Sequence, residues 1–195
     1  MSDYLNNLIR KVGLKTVMRP PNSERGLRDL CTYIKQNVGP IEKIVEIGSY
    51  MGESAVIFAE EFPNTTIICI DPWEGNYDEN DTASSANYNE IEQQFDLRAA
   101  KYQNIIKYKG YSTDLEIQAP CDVVYIDGCH SYDCVKEDIA IWDKLVTKVI
   151  CGHDYLNDEE LKIHRHVAGV RKAVEEALGT PDAFFADTSW LILKK

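Results

Sequence analysis

The feature that most constrains the fold is a short run that joins an apolar strand to a helix, Val45-Glu46-Ile47-Gly48-Ser49-Tyr50-Met51-Gly52-Glu53-Ser54. The strand ends at Ile47, and a helix is predicted to open at Glu53 or Ser54. Between them, Gly48 and Gly52 let the backbone turn sharply and let a ligand lie against the main chain. The run therefore predicts a strand–loop–helix unit of a sheet that binds a ligand at the ends of its strands.

The acid two places before the first glycine indicates what kind of ligand this is. A pyrophosphate cradle would avoid a carboxylate there, whereas a ligand that carries an ammonium group would be attracted by Glu46. The run therefore favours a pocket for a nucleoside joined to an amino acid, as in S-adenosylmethionine. The candidate contacts along the run are Glu46, Gly48, Ser49, Tyr50, Gly52 and Ser54.

Strand and helix patterns alternate along the rest of the chain. Continuous apolar strands such as Ile67-Ile68-Cys69-Ile70 are typical of a parallel sheet that is covered on both faces. The sequence therefore predicts an α/β fold, a Rossmann-like, doubly wound and mostly parallel sheet with helices on both faces. The predicted strands are Glu42–Ile47, Thr65–Ile70, Ile105–Tyr108, Asp122–Ile126 and Lys148–Cys151, and the predicted helices are Ser54–Glu61, Glu90–Ala100, Tyr132–Leu145 and Val167–Leu178.

The two ends of the chain differ from this alternation. Two short apolar runs, Ala183–Ala186 and Trp190–Leu193, predict a terminal antiparallel hairpin. Residues 1–39 are predicted to form a helical segment before a core of residues 40–195, all within one domain of 195 residues. The apolar positions of its two helices are Leu5, Leu8, Ile9 and Val12, then Leu27, Leu30, Cys31 and Ile34. The first helix is a candidate to pack on a partner chain in a homo-oligomer, and the polar stretch 74–89 is predicted to be a long loop.

Composition excludes some classes of partner. A net charge of −11 disfavours binding to a phosphate backbone, so we expect no nucleic-acid substrate. No apolar stretch has the length of a membrane span, and the start of the chain lacks the pattern of a signal peptide. Six cysteines without a Cys-x-x-Cys pair are expected to be mostly buried and reduced, which predicts a cytoplasmic location. A zinc site is the alternative, formed by Cys129, His130, Cys134 and His153.

Candidate contacts for the nucleoside follow the second and third predicted strands. Asp71 stands where a carboxylate can accept both hydroxyls of a ribose, although Asp-Pro is also typical of a turn. Trp73 either packs on the adenine or closes the core, and the sequence leaves both open. After the third strand, a hydroxyl or main-chain amide at Ser112 is a candidate to meet the adenine edge.

The fourth and fifth predicted strands end in acids and histidines. Asp127 and His130 follow the fourth strand, and His153 and Asp154 follow the fifth. We expect these strand ends to be neighbours, so that the four side chains converge over one mouth, where Asp127 also contacts the cofactor. Methyl transfer to a hydroxyl needs that hydroxyl to lose its proton. Either histidine suits the role of general base, and the two acids suit a divalent ion such as Mg²⁺ that acidifies the hydroxyl.

Two further histidines, His164 and His166, flank the last predicted helix. Solvated surface is the expected position for both, and contact with the substrate is the alternative.

With these motifs the chain resembles class I S-adenosylmethionine-dependent methyltransferases. The resemblance is to a subgroup with a Val-Glu-Ile-Gly-Ser first motif, an Ile-Asp-Gly-x-His-Ser-Tyr fourth strand and a Gly-His-Asp-Tyr fifth strand. These motifs stand here at Val45–Ser49, Ile126–Tyr132 and Gly152–Tyr155. The resemblance implies a seven-stranded sheet with an antiparallel last strand, and a cofactor pocket formed by Glu46, Gly48, Asp71 and Ser112. Relatives in the wider group methylate sugar hydroxyls with Mg²⁺, which implies O-methylation of a saccharide or another small polar acceptor.

Three positions depart from the pattern of the family. Tyr50 stands where many methyltransferases have a glycine, Cys129 replaces a common aspartate, and Val146-Thr147-Lys148 lacks the usual Gly-Gly turn. Two other functions stay open on the same fold. A nicotinamide-dependent oxidoreductase would need a Gly-x-Gly-x-x-Gly loop, which the chain lacks, and a binding protein would have lost the chemistry.

Overall fold

A single seven-stranded sheet organises the chain in the computed structural model, which describes residues 21–77 and 82–194. The strands lie in the order β3-β2-β1-β4-β5-β7-β6. Strands β1 to β5 pair in parallel, and β7 runs antiparallel to its neighbours β5 and β6. The bounds are β1 Lys43–Ile47, β2 Thr66–Asp71, β3 Ile105–Lys109, β4 Cys121–Ile126, β5 Val146–Gly152, β6 Ala183–Phe184 and β7 Trp190–Leu193. The predicted mostly parallel, seven-stranded sheet and its terminal hairpin are confirmed.

Helices cover both faces of this sheet, as the continuous apolar strands predicted. One face packs against α1 (Pro21–Asn37), α2 (Glu53–Glu61) and α3 (Tyr88–Ala99), and the other packs against α4 (Tyr132–Trp142) and α6 (Ala168–Leu178). Shorter elements complete the described chain, namely α5 at Asp158–Leu161 and 3₁₀ turns at Thr82–Ser85 and Arg165–Val167.

Strand β4 shows why the sheet needs a cover on both sides. Its alternate residues Val123 and Tyr125 join the core on the α1 side, whereas Val124 and Ile126 join the core on the α4 side. All four side chains are buried. Because successive side chains of a strand point to opposite faces, a strand that is apolar at every position is stable only between two layers of helices.

Boundaries differ from the predictions by a few residues. The helix predicted to reach Leu145 ends at Trp142, because the chain must turn over residues 143–145 before β5 begins at Val146. Helix α3 begins at Tyr88, two residues before its predicted start. Helix α5 and the 3₁₀ turns were not predicted, since segments of three or four residues show no apolar period. The predicted helix at 5–12 lies outside the described residues.

The structure bears on two predictions from composition, the absence of a membrane span and the burial of the cysteines. The described helices include none that is both long and apolar enough to cross a membrane. All six cysteines are free thiols, and four of them are buried, as expected: Cys31, Cys69, Cys121 and Cys151. The single domain, with a helical segment at 1–39 and a core at 40–195, stays a prediction.

Asp122 ties together the starts of three neighbouring strands. One carboxylate oxygen, Oδ2, accepts the main-chain N–H groups of Glu42 at 2.7 Å and Lys43 at 3.1 Å, and Oδ1 lies 2.9 Å from Nζ of Lys148. Burial alone would raise the pKa of Asp122, but the hydrogen bonds from Lys148 and the two amides outweigh it and lower the pKa. The charged carboxylate therefore stabilises the edge of the sheet opposite the strand ends that carry the predicted site.

Replacing this carboxylate should destabilise the fold in a pH-dependent way. We expect Asp122→Ala to lower the free energy of unfolding by about 2 kcal/mol at pH 7, because two amides and one ammonium lose their acceptor. A carboxyl group with a lowered pKa contributes its stability above the ordinary carboxyl pKa and loses it as the pH falls through the folded-state value. The gap between the two proteins should therefore narrow below about pH 4 in urea unfolding. The control is Asp29→Ala, which removes an exposed carboxylate 3.6 Å from Arg25; an equal loss there would contradict the prediction.

Candidate functional site

The loop after β1 is pressed against the end of β4. Gly48 has a φ of +84°, and a Cβ at this position would lie 2.1 Å from the carbonyl oxygen of Asp127. Gly52 also has a positive φ of +81°, and a Cβ there would lie 2.8 Å from the ring of Phe95. Between the two glycines, Tyr50 adopts a φ of +44°, which is a rare conformation for a bulky residue. Tyr50, where the sequence departs from the glycine expected from the resemblance, thus adopts a backbone conformation that glycine reaches more easily.

Glu46 ends up fully buried beneath this loop. Its Oε2 accepts a hydrogen bond from the hydroxyl of Ser49. Burial raises the pKa of Glu46, although the side chains of Ser49, Ser54 and Cys69 favour the charged form. Within the described residues Oε1 is buried and meets no donor in hydrogen-bonding geometry. A buried acceptor without a donor fits a ligand that brings an ammonium group.

Asp71 joins the loops that follow β1 and β2. Its Oδ2 accepts the N–H of Tyr50 at 2.9 Å, and its Oδ1 accepts the N–H of Trp73 at 2.6 Å. Burial raises the pKa of this carboxyl, against the effect of the main-chain hydrogen bonds. Each carboxylate oxygen can accept more than one hydrogen bond, so the side chain both shapes the loops and keeps acceptors for the hydroxyls of a ribose. Both alternatives for Asp71 are thus compatible with the structure.

The indole ring of Trp73 lies in the core. Only 3% of the residue is exposed, its ring centroid lies 4.8 Å from that of Phe95, and its Nε1 donates to the carbonyl of Tyr50 at 2.8 Å. Of the two alternatives that the sequence left open, this position corresponds to closing the core.

Ser112 is held by helix α4. Its hydroxyl donates to Oδ1 of Asp138, and its carbonyl accepts Nε1 of Trp142 at 3.2 Å. The same loop is joined to the end of β2, since the N–H of Gly110 donates to the carbonyl of Asp71 at 3.1 Å. Asp138 was not among the predicted site residues. The sequence does mark it, as an acid on the apolar side of a helix among Val135, Ile139 and Trp142.

Two acids and two histidines converge at the ends of β4 and β5. Oδ2 of Asp154 lies 3.1 Å from Nε2 of His130, and Oδ1 lies 3.1 Å from Nδ1 of His153. Oδ1 of Asp127 lies 3.8 Å from Nε2 of His130 and 3.7 Å from Nδ1 of His153. The predicted convergence of these four side chains is confirmed, while their roles stay predictions.

Asp154 is the centre of this cluster. Burial would raise the pKa of its carboxyl, but the hydrogen bonds and charges of His130 and His153 outweigh it and hold the pKa well below the usual range. The residue also has a φ of +60°, which places the carboxylate between the two imidazoles at the cost of backbone strain. Strain that is retained at the mouth of a pocket is typical of a functional position.

The cluster includes a set of donors suited to a divalent cation. One ligand atom each from Asp127, His153 and Asp154 lie within 4.8 Å of one another, and this is the one such group of three or more in the described chain. Two carboxylates and an imidazole fit Mg²⁺ or a transition metal. His153 joins the two acids that the sequence proposed as ligands. The zinc alternative has no such arrangement of donors within residues 21–77 and 82–194.

The remaining histidines lie beside the cluster. The ring of His166 is half-buried, with its centroid 6.4 Å from that of His130, and His164 is exposed, 6.1 Å from His166 between ring centroids. His164 thus has the expected solvated position, whereas His166 contacts the site.

Comparisons with known proteins agree with this geometry. A family model described as "Methyltransferase domain" matches residues 45–155. The O-methyltransferase from Bacillus cereus in complex with SAH has a similar fold, with a TM-score of 0.62 at 16% identity over 98% of this chain and 90% of that chain. The O-methyltransferase TomG from Streptomyces achromogenes, in complex with SAM, gives 0.59 at 16% identity over 100% and 96%. No curated protein matches.

Alanine substitutions at Gly48 and Gly39 should distinguish the cost of a strained φ from the cost of a steric clash with the end of β4. Gly39 has nearly the same φ, +87°, but a Cβ there would meet nothing within 4 Å. We expect Gly39→Ala to cost about 1 kcal/mol through φ alone, and Gly48→Ala to cost at least about 2 kcal/mol more, because the strand ends must part. Chemical unfolding of the two variants measures the difference. Equal losses would mean that β1 and β4 do not depend on this close approach.

Proposed function

Since the chain belongs to the methyltransferase-domain family, whose model matches more than half of its residues, and has the class I methyltransferase fold, we propose that it transfers a methyl group from S-adenosylmethionine to a hydroxyl of a sugar or another small polar acceptor. The observation that carries the proposal is the arrangement of acids at four neighbouring strand ends. Glu46 and Asp71 lie in the last residues of β1 and β2, and Asp127 and Asp154 follow the ends of β4 and β5, so all four lie near the same edge of the sheet. The SAH and SAM bound by the two structural relatives support the choice of cofactor.

The β1–β2 half of the edge suits the cofactor. S-adenosylmethionine supplies an electrophilic methyl group on a sulfonium. The unpartnered Oε1 of Glu46 would accept its ammonium group, and Asp71 would accept the ribose hydroxyls. Gly48 and Gly52 keep the intervening loop free of side chains that would occupy the cradle. Ser112, on the loop joined to Asp71, would meet the adenine edge.

The β4–β5 half of the edge suits removal of a proton from the acceptor. Asp127, His153 and Asp154 would hold Mg²⁺ or another divalent cation, which when bound lowers the pKa of a coordinated hydroxyl. With His153 in that set, His130 is the histidine left to act as general base. The imidazolium that forms when His130 takes a proton would be stabilised by the carboxylate of Asp154, which lies 3.1 Å from Nε2 and accepts its hydrogen bond. This assigns different tasks to two histidines that the sequence could not distinguish.

The acceptor is expected to be uncharged. The carboxylates of Asp127 and Asp154, together with a net charge of −11, would repel a phosphorylated or carboxylated acceptor. A neutral polyhydroxyl compound such as a saccharide meets neither penalty. We propose in addition a cytoplasmic enzyme, as its free cysteines suggest, and retain self-association into a homo-oligomer as a prediction.

Binding of S-adenosylhomocysteine is the direct test of the cofactor. We expect this product to raise the thermal unfolding midpoint while NAD does not, because the loop lacks a pyrophosphate cradle. Asp71→Ala should weaken S-adenosylhomocysteine about tenfold to a hundredfold in calorimetry, since charge-assisted hydrogen bonds to the ribose are lost. The control is the exposed Glu116→Ala. Stabilisation by NAD without any effect of S-adenosylhomocysteine would favour the oxidoreductase instead.

The division of work between the histidines is tested by methyl transfer to a panel of glycosides. We expect His130→Ala to lower kcat about 10²- to 10⁴-fold with little change in cofactor affinity, because it removes only the base. Asp154→Ala should abolish both turnover and the heat of Mg²⁺ binding, because it removes a ligand and the partner of His130. His164→Ala is the matched control on an exposed imidazole. Full activity after exhaustive treatment with EDTA would remove the cation from the proposal, and an unaffected His130→Ala would remove the base.

A further inference from the structure

Helix α4 holds Ser112 at two points, and this decides how its hydroxyl can be used. The hydroxyl hydrogen is directed to Oδ1 of Asp138, a carboxyl that is only 5% exposed, and the Ser112 carbonyl accepts Nε1 of the fully buried Trp142. An ionised carboxylate can only accept hydrogen bonds. As long as Asp138 is charged, Ser112 Oγ therefore offers the pocket its lone pairs and no hydrogen.

Adenine and hypoxanthine, a 6-oxo purine, differ at position 6, the position that Ser112 Oγ is taken to face. Position 6 carries an amino group, a donor, in adenine and a carbonyl oxygen, an acceptor, in hypoxanthine. An acceptor-only Ser112 Oγ matches the amino group and opposes the carbonyl. We propose that Asp138 is a specificity-determining residue, which makes Ser112 an obligate acceptor and so selects the 6-amino purine of the cofactor over a 6-oxo purine. This inference rests on the proposed function, since it takes Ser112 to lie at the edge of the base.

The position of the loop supports this use of Ser112. The N–H of Gly110 donates to the carbonyl of Asp71 at 3.1 Å, so the loop follows directly from the residue proposed to bind the ribose. Ser112 itself is only half-buried, so the residue is not enclosed by the core. Asp138 is placed behind it on α4 and acts on the base through Ser112.

Protonation of Asp138 should allow Ser112 Oγ to donate a hydrogen bond to the base, and so should weaken the preference for the 6-amino purine. Burial raises the pKa of Asp138 to about 6, with the Ser112 hydrogen bond lowering it and the charge of Glu137 raising it. The other titratable neighbour on the helix is Cys134, whose own pKa is raised to about 11, while the loop presents the Ser112 hydroxyl, which does not titrate. A protonated carboxyl can donate to Ser112 Oγ, which frees the serine hydrogen to reach a 6-oxo group. Selectivity for the amino purine is therefore expected above about pH 6 and should decline below it.

The experiment compares S-adenosylhomocysteine with S-inosylhomocysteine, its 6-oxo analogue, by calorimetry at pH 7.5 and pH 5. In Ser112→Ala we expect the adenosyl compound to weaken about tenfold while the inosyl compound changes by less than about twofold, because only the former loses a partner. In Asp138→Asn the side-chain amide can donate to Ser112 Oγ. The inosyl compound should then gain affinity, and the ratio of the two dissociation constants should narrow about tenfold and lose its dependence on pH. Asp133→Asn, an exposed acid on the same helix, is the control and should keep the ratio of the unmodified protein.

The outcomes separate this inference from the proposed function. Equal weakening of both compounds in Asp138→Asn, or a ratio that Ser112→Ala leaves unchanged, would show that Asp138 and Ser112 only support the loop and would overturn the inference. Failure of the unmodified protein to bind S-adenosylhomocysteine at all would instead overturn the proposed function on which it rests. Should Asp138→Asn fail to fold, the Ser112→Ala comparison and the pH series on the unmodified protein still decide the matter.

Discussion

The common level at which the central strands end is the constraint on which the rest of the structure depends. Ile47 of β1 pairs with Ile70 of β2 on one side and with Ile126 of β4 on the other, and Ile126 pairs with Gly152 of β5. The polar residues that follow these positions must therefore emerge along one edge. A slip of one residue in any pair would turn the side chains of that strand to the opposite face and bury its polar end residue in the wrong layer. The apolar alternation of the strands thus specifies the site as much as the core.

Near that edge lie residues with positive φ and a buried charged group, features that cost stability and are therefore unexpected where a sheet serves only the fold. Tyr50, Trp73 and Asp154 each have a positive φ within three residues of the end of a strand, and among the described residues Glu46 has a buried oxygen without a donor. Opposite them, at the starts of the strands, Asp122 has each oxygen paired. At the edge where the strands start, the acceptors of Asp122 are thus paired. At the edge where the strands end, Glu46 has an acceptor without a donor among the described residues, and a bound ligand can supply that donor.

Sequence patterns were sufficient for the sheet, and less so for the site. The mostly parallel sheet, the hairpin and the meeting of Asp127, His130, His153 and Asp154 could be predicted from apolar period and from parallel pairing, whereas the number of strands came from the resemblance to a family. Which imidazole joins the acids in the candidate cation site does not follow, because the close group of ligand atoms from Asp127, His153 and Asp154 depends on how the fold orients these side chains. The role of Asp138 was hidden for a related reason. A sequence shows an acid on an apolar stripe, but only the fold shows that a serine 26 residues away supplies its hydrogen bond.

The pKa values of four carboxyl groups, three near this edge and one on helix α4, are shifted in different directions by their surroundings. Asp154 lies between two imidazoles, and its pKa is held low, so it remains an anion that can stabilise a cation or an imidazolium. Glu46, Asp71 and Asp138 are buried, they form no ion pair with a cation within residues 21–77 and 82–194, and burial raises the pKa of each. A raised pKa means that the charged form gains more from an incoming donor than it would at the surface. An ammonium group beside Glu46 and hydroxyls beside Asp71 would relieve this penalty, whereas Asp138, which accepts the hydrogen bond of Ser112, remains sensitive to pH near neutrality. Opposite pKa shifts near one edge of the sheet thus agree with a division between the half proposed to bind the cofactor and the half proposed to take up the proton.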